Sequence, residues 1–130
     1  MGLTTAGGNE ILNTLYRTTT WYIGLIRDDG YSALAAADTL ATHAGWQEGD
    51  EYSGNRKAFT ASVAASKSNN NTGNEASFDI TADQTFKGCL LASVASGTTG
   101  TLRATMIFTG GDAVALDGDT LEVALSTNVA

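Results

Sequence analysis

The two residue types most often used as catalytic bases, nucleophiles and soft metal ligands each occur once, as His43 and Cys89. A Cys–His nucleophile pair needs contact and an orienting third group, and two such ligands are too few for a zinc site. His43 ends an Ala-rich stretch, whereas Cys89 lies inside an apolar, strand-like segment. We therefore expect Cys89 to be buried and inert, and His43 to be structural or exposed. A single cysteine also excludes an intramolecular disulfide.

Carboxylates form the other group of residues that can carry chemistry. Asp112, Asp117 and Asp119 lie near a Gly-rich turn, where oxygen ligands can hold Ca²⁺. The EF-hand spacing is absent, so turn chemistry is favoured and calcium stays open. The acids at 28–29 and 48–51 are paired carboxylates, as glycoside hydrolysis requires. They lack a recognisable substrate platform and are interpreted as solvated loop acids. The sequence thus predicts a protein that is not an enzyme and needs no cofactor.

Large apolar, aromatic and acidic side chains are the remaining candidates for a functional surface. Trp46 and Tyr52 lie in an acidic connection, and they suit either lids over the core or interface anchors, with lids favoured. The short N-terminal segment offers a second contact surface. Together these give the predicted interface residues: Leu3, Ile11, Leu12, Trp46, Glu48, Asp50 and Tyr52.

Composition favours one β domain. The 130 residues are 42% hydrophobic and only 16% charged, with 15 Gly and no Pro, which suits a β-sandwich or barrel with frequent turns. The net charge of −7 disfavours nucleic acid and anionic lipid as partners. The chain has neither a long apolar span nor a secretory signal, so we expect a protein made and used without export.

The first 19 residues are expected to differ from the rest. Residues 1–8 are small and Gly-rich, which predicts a mobile or extended arm. Residues 9–17 place apolar side chains at helical spacing, with Asn9 as a plausible N-cap. The predicted organisation is an arm or short helix over residues 1–19 and a β-sandwich domain over residues 20–130.

Alternating and β-branched segments predict about six strands. Strands are expected over residues 18–26, 55–64, 75–80 and, with both faces apolar, 85–94. The Ala-rich stretch 32–45 is expected to hold one or two helical turns or an irregular connection.

Residues 101–127 are the most regular part of the pattern. In the first run, one face carries Leu102, Ala104, Met106 and Phe108. In the last run, one face carries Leu121, Val123 and Leu125. Period-two alternation is typical of half-buried strands. With Gly-rich turns between them, the two runs predict an antiparallel ribbon within one core. The expected fold is mainly β, an antiparallel β-sandwich or jelly-roll-like single domain.

A series of short motifs resembles a known family. In order they are WYIGLI, then ADTLATHAGWQE followed by Tyr52 and Arg56, then ASFDITADQTFKGCLLAS, GTTGTLRATMIF and DGDTLEVALS. This order resembles a family of small structural proteins encoded in the head-and-tail gene clusters of tailed bacteriophages. The resemblance covers residues 20–127, and family members are described as capsid decoration or cement proteins or as tail-fibre-like proteins.

The resemblance implies a virion component. We expect a decoration protein that is made in the host cytoplasm and self-associates as a dimer or trimer. It would bind the major capsid protein at the outer head surface and stabilise the shell. The alternative is a tail or fibre-associated protein involved in host adhesion.

Overall fold

The computed structural model describes residues 2–129, which form one helix and ten strands. The helix, α1, spans Thr5–Arg17. The strands are β1 (Tyr22–Arg27), β2 (Glu48–Gly49), β3 (Lys57–Ala58), β4 (Ser68–Asn70), β5 (Ala76–Asp79), β6 (Gln84–Ala92), β7 (Leu102–Ile107), β8 (Ala113–Ala115), β9 (Thr120–Val123) and β10 (Ser126–Asn128).

The central sheet is built around β6. This nine-residue strand pairs with β1 along one edge and with β7 and β8 along the other, and β2 and β3 pair with the far edge of β1. All of these pairs are antiparallel. Side chains of β6 are buried on both faces, which is why its sequence is apolar without alternation. The predicted central strand over residues 85–94 is confirmed.

Two layers cover the two faces of this sheet. On the inner face, Ile23, Leu25 and Leu91 join Phe78 and Val123 from the small β5–β9 sheet in one core cluster. The β4–β10 pair forms a second small sheet. Asn71, the residue after β4, joins this sheet to the end of β9 through two side-chain hydrogen bonds.

The outer face is covered by the long β1–β2 connection. Leu40 and Trp46 from this connection pack on Ile26 and Leu90 of the sheet. The molecule is therefore a mainly β, antiparallel, sandwich-like domain with one short N-terminal helix, as predicted.

Helix α1 begins earlier than the sequence indicated. Thr4 is the N-cap, and its Oγ1 accepts a hydrogen bond from the Gly7 N–H at 3.1 Å. Asn9 is therefore not a cap; its Oδ1 accepts from the Lys67 N–H at 2.8 Å and joins the helix to β4. The Gly-rich composition gave no helical signal over the first turn. Gly8 is buried in this turn, and the Lys67 side chain passes it too closely to leave room for a Cβ. The prediction of a mobile arm over residues 1–8 is thus wrong for residues 5–8.

The predicted ribbon of residues 101–127 is also wrong in its pairing. β7 pairs with β6, whereas β9 pairs with β5 in another sheet, and β8 lies between them in sequence. Both runs still contribute to one core, because Val123 and Leu125 are buried there and Met106 and Phe108 pack against them. Alternation identified the buried face of each strand but carried no information about its partner.

One further segment follows one of its two expected alternatives, and another departs from expectation. Residues 32–45 form an irregular connection without helix, held where the N–H groups of Ser32 and Ala33 donate to the Gly45 carbonyl. Only Lys57–Ala58 of the predicted strand 55–64 is paired as a strand, and Val63 is 62% exposed.

Candidate interaction surface

The most distinctive surface feature is a concentration of carboxylates at one end of the sandwich. Four loops meet there through backbone hydrogen bonds: Asp28 N–H to the Thr85 carbonyl, Thr81 N–H to Glu51, and Ile80 N–H to Asp119. The Asp117 N–H donates to Asp83 Oδ1 at 2.8 Å and adds a second link between the loops of Ile80 and Asp119. We call this surface the acidic end; its members are Asp28, Asp29, Asp50, Glu51, Asp79, Asp83, Asp117 and Asp119.

These eight residues are more than half of the 14 acidic residues in the chain. Two cations lie among them. Arg27 pairs with Glu51 at 3.1 Å and approaches Asp29 at 3.9 Å, and Lys87 pairs with Asp28 at 3.4 Å. The other five carboxylates are exposed, and none forms a salt bridge within residues 2–129. The acidic end therefore carries a net negative potential that favours contact with a basic surface.

Glu51 is the most buried carboxylate of this group. Burial raises the pKa of its carboxyl above the ordinary value, an effect that the neighbouring Arg27 guanidinium partly opposes and Asp50 reinforces. Its Oε1 atom and the Nε atom of Arg27 are buried without a hydrogen-bond partner. The Arg27–Glu51 ion pair therefore lies at the base of the acidic end, and the exposed carboxylates of that end lie around the pair.

Glu48 belongs to a different, structural arrangement. Arg56 is buried and holds both Glu48 carboxylate oxygens, with Nε–Oε2 at 2.7 Å and Nη2–Oε1 at 2.6 Å. The same guanidinium donates to the carbonyls of Val94 and Gly97. These hydrogen bonds to Glu48 raise the pKa of Arg56. The pair fastens β2 to the loop after β6 and leaves Glu48 no free charge for a partner.

The predicted interface residues separate into three groups. Three of them are buried within the chain: Leu12, Trp46 and Tyr52 are 1%, 2% and 8% exposed. The two aromatic side chains therefore lie over the core, as their interpretation as lids predicted. Glu48 is bound to Arg56. The residues that remain on the surface are Leu3, Ile11 and Asp50.

His43 and Asp38 hold Trp46 in place. The His43 ring stacks on the indole at 3.8 Å between centroids, and its Nδ1 donates to the Trp46 carbonyl at 2.9 Å. Trp46 Nε1–H donates to Asp38 Oδ2 at 2.9 Å. This bond, together with one from the Ala35 N–H, lowers the pKa of Asp38. His43 therefore has a structural role, one of the two outcomes expected for it.

The residues singled out in the sequence as possible nucleophile or metal ligands lie apart or in local contacts. Cys89 is buried in the inner face of the central sheet, and burial raises the pKa of its thiol to about 12. Asp112 pairs with Lys87 at 3.3 Å, whereas Asp119 Oδ2 accepts from the Leu116 N–H within its own turn. Within residues 2–129 no group of three or more His, Cys, Asp or Glu side chains is placed to hold a metal ion.

A second surface feature is an apolar groove of about 550 Å³ between the central sheet and the β5–β9 sheet. Met106 and Phe108 line one side, and Leu121, Val123 and Leu125 line the other. Cys89 lies at its base, and Glu122 and Asp112 are the charged residues of its lining. The groove lies beside β7, which is an edge strand of the central sheet.

Sequence reasoning identified Asp50 but missed the acidic end as a unit. Its members are distributed over residues 28–119 and meet only because several strands end at the same side of the sheet. The available signal was that acids follow strand ends repeatedly, as Asp28 follows β1 and Asp117 follows β8.

No family model, curated protein or solved structure matches the chain. Among the described residues, no helix has the length and apolar character needed to cross a membrane.

Proposed function

We propose that this chain is a structural protein of a tailed-bacteriophage virion that binds the outer surface of the head and stabilises the shell. The observation that carries the proposal is the acidic end, a surface on a small β domain where five exposed carboxylates form no salt bridge among the described residues. The motif order over residues 20–127, which resembles phage structural proteins, supports the same reading. The chain acts by binding rather than by catalysis, and its partner is the major capsid protein.

The physical mechanism is linkage. A protein that binds the assembled shell but not its dissociated subunits stabilises the shell by mass action. Exposed carboxylates such as Asp83 and Asp117 attract basic patches on the shell and accelerate association. An acidic surface is also repelled by packaged DNA, which supports a position on the outside of the head. The protein is made in the host cytoplasm and resides in the virion.

The proposal predicts binding that weakens with salt, because exposed charge pairs are screened over about 8 Å at physiological ionic strength. Heads stripped of the protein are mixed with purified chain, and DNA release on heating is followed by a dye. Restored heads are expected to release DNA at a higher temperature than bare heads, with the difference shrinking as salt rises.

Charge variants identify the surface responsible. The double variant Asp83→Asn with Asp117→Asn removes two exposed charges from the acidic end, and it is expected to weaken head binding several-fold at low salt. Glu10→Gln removes an exposed charge from α1, remote from the acidic end, and serves as the control. If heads restored with the wild-type chain leak at the temperature of bare heads, the decoration role fails. If the chain binds tails alone, the tail-associated alternative replaces it.

A further inference from the structure

We propose that two copies of this chain pair through the outer edge of β7, forming a two-fold symmetric dimer with a continuous central sheet. This inference concerns the isolated protein and does not rest on the proposed head-binding function.

The first observation is that β7 is an unprotected edge. Within residues 2–129, its strand partner is β6 on one side, and no strand pairs with the other side. The Phe108 N–H donates to the Lys87 carbonyl, and pairing is continuous from Ala104 to Ile107. Because backbone groups alternate in direction along an antiparallel strand, Thr105 and Ile107 direct their N–H and C=O groups outward.

Natural edge strands are normally blunted by charge, proline, bulges or a covering segment. β7 has an irregularity and one charge, Arg103, at its N-terminal end. The run from Ala104 to Ile107 has neither charge nor proline, and Ile107 is 48% exposed. An edge of this kind favours addition of another strand.

The distribution of acidic residues along the chain favours a second copy of β7 as the added strand. The chain carries a net charge of −7, so two copies repel each other wherever their acidic surfaces meet. Residues 85–111 contain no Asp or Glu. β7 lies inside this segment and pairs with Gly88–Ala92, the half of β6 that is remote from the acidic end. The β7 segment therefore brings no carboxylate of its own toward a second copy, and the acids beside it are Asp112 and Glu122 of the groove lining.

The two ends of β7 are complementary in a two-fold arrangement. Antiparallel pairing of β7 with its own copy places the Arg103 end of one strand beside the Ile107 end of the other. The apolar groove adjoins the Ile107 end, and the charged residues of its lining are Asp112 and Glu122. Asp112 is paired with Lys87, so Glu122 is the free carboxylate of this lining. Arg103, whose guanidinium lies over the Tyr16 and Trp21 rings of its own chain, is thus placed in each copy toward the Glu122 side of the groove in the other. Because the same edge is used twice, the contact is isologous and closes as a dimer.

Sedimentation equilibrium over a range of protein concentrations tests the proposal. The chain is expected to reach twice its monomer mass of 13.4 kDa. Ile107→Lys adds a charge to the edge, as natural edge strands do, and it is expected to weaken the dimer at least about tenfold because symmetry introduces the change twice. Val63→Lys, at an exposed apolar residue outside the strands, is the matched control and is expected to leave the dimer unchanged.

Cysteine cross-linking provides a second, residue-specific readout. Directly opposite residues of an antiparallel pair have Cβ atoms about 4.5–5.5 Å apart, so Thr105→Cys is expected to give a reducible covalent dimer after mild oxidation. Val63→Cys is expected to give no covalent dimer, and the buried Cys89 adds no background.

A chain that stays monomeric at every concentration, or that forms trimers, overturns the proposal. So does a dimer that Ile107→Lys leaves intact while Thr105→Cys fails to cross-link. A monomeric chain that still protects heads would remove this inference and leave the proposed function standing.

Discussion

Cys89 shows how burial turns a reactive residue type into a structural one. Its thiol lies in the core, and the pKa of about 12 that burial imposes leaves almost no thiolate at neutral pH. We predict that a thiol reagent at pH 8 labels Cys89 rapidly in denaturant but at least about a hundredfold more slowly in the native protein. Equal labelling rates in the two states would show that the inner face of the central sheet is open.

Asp38 supplies a pH dependence whose sign is fixed by its contacts. Its hydrogen bond from Trp46 lowers its pKa below the ordinary 3.8. A lowered pKa means that the unfolded state binds the proton more readily, so this contribution to stability is present above pH 3.8 and is lost as pH falls through the folded-state value.

Asp38→Ala is therefore expected to lower the urea midpoint at pH 7, and the difference from wild type should shrink progressively below pH 3.8. Glu10→Ala, at an exposed helix position, is the control and should show no such convergence. A difference that stays constant down to pH 2 would mean that Asp38 acts through something other than its charge.

At the scale of elements, α1 is attached to the sandwich by one face. Leu12 is 1% exposed, whereas its neighbour Ile11 is 39% exposed. We predict that Leu12→Ala lowers the free energy of unfolding by about 2–5 kcal/mol, and that Ile11→Ala changes it by about 0.5 kcal/mol. Chemical denaturation measures both. Equal effects of the two variants would mean that the helix does not pack as described.

An N-terminal truncation tests how α1 is held. Removing residues 1–8 deletes the Thr4 cap and the first turn, including the buried Gly8. The contacts that Asn9, Asn13 and Leu12 make with the sandwich remain. Truncated protein is expected to stay folded but with a lower melting temperature.

Elements were predictable from sequence to the extent that local pattern determines them. β6 was identified because a strand buried on both faces is apolar throughout, and the buried face of β9 was identified from alternation. Partners were not predictable, since β9 and β7 have similar patterns but belong to different sheets. The start of α1 was missed because Gly7 and Gly8 suppress the helical signal, although Gly8 is required by the close crossing of Lys67.

The candidate site was predictable only in part, for the same reason. Trp46 and Tyr52 were listed as interface residues although lids over the core were favoured, because an acidic connection is compatible with both positions, and both side chains are buried. The sequence around Glu48 did not indicate its partner, because the contact with Arg56 forms only in the folded chain. The same guanidinium also donates hydrogen bonds to two backbone carbonyls. The acidic end depends on which strand ends lie together, and that is a property of sheet topology.

At the scale of the whole molecule, two surfaces have complementary roles. In the two proposals, the acidic end provides contact with a basic partner, and the β7 edge, whose own strand carries no carboxylate, provides contact with a second copy. They lie at different parts of the central sheet, since β7 pairs with residues 88–92 and the acidic end surrounds residues 84–86. A dimer formed through β7 therefore presents two acidic ends, and the two can bind one shell together with increased avidity.

The central claim is that this chain is a protein of the outer head surface. Under this proposal a phage encodes the chain, and immunogold labelling of that phage's particles tests the claim most directly, with particles that lack the protein as the control. The account predicts gold on the heads of intact particles, since the epitopes lie outside the shell. Gold confined to tails, or particles that carry no label at all, would contradict it.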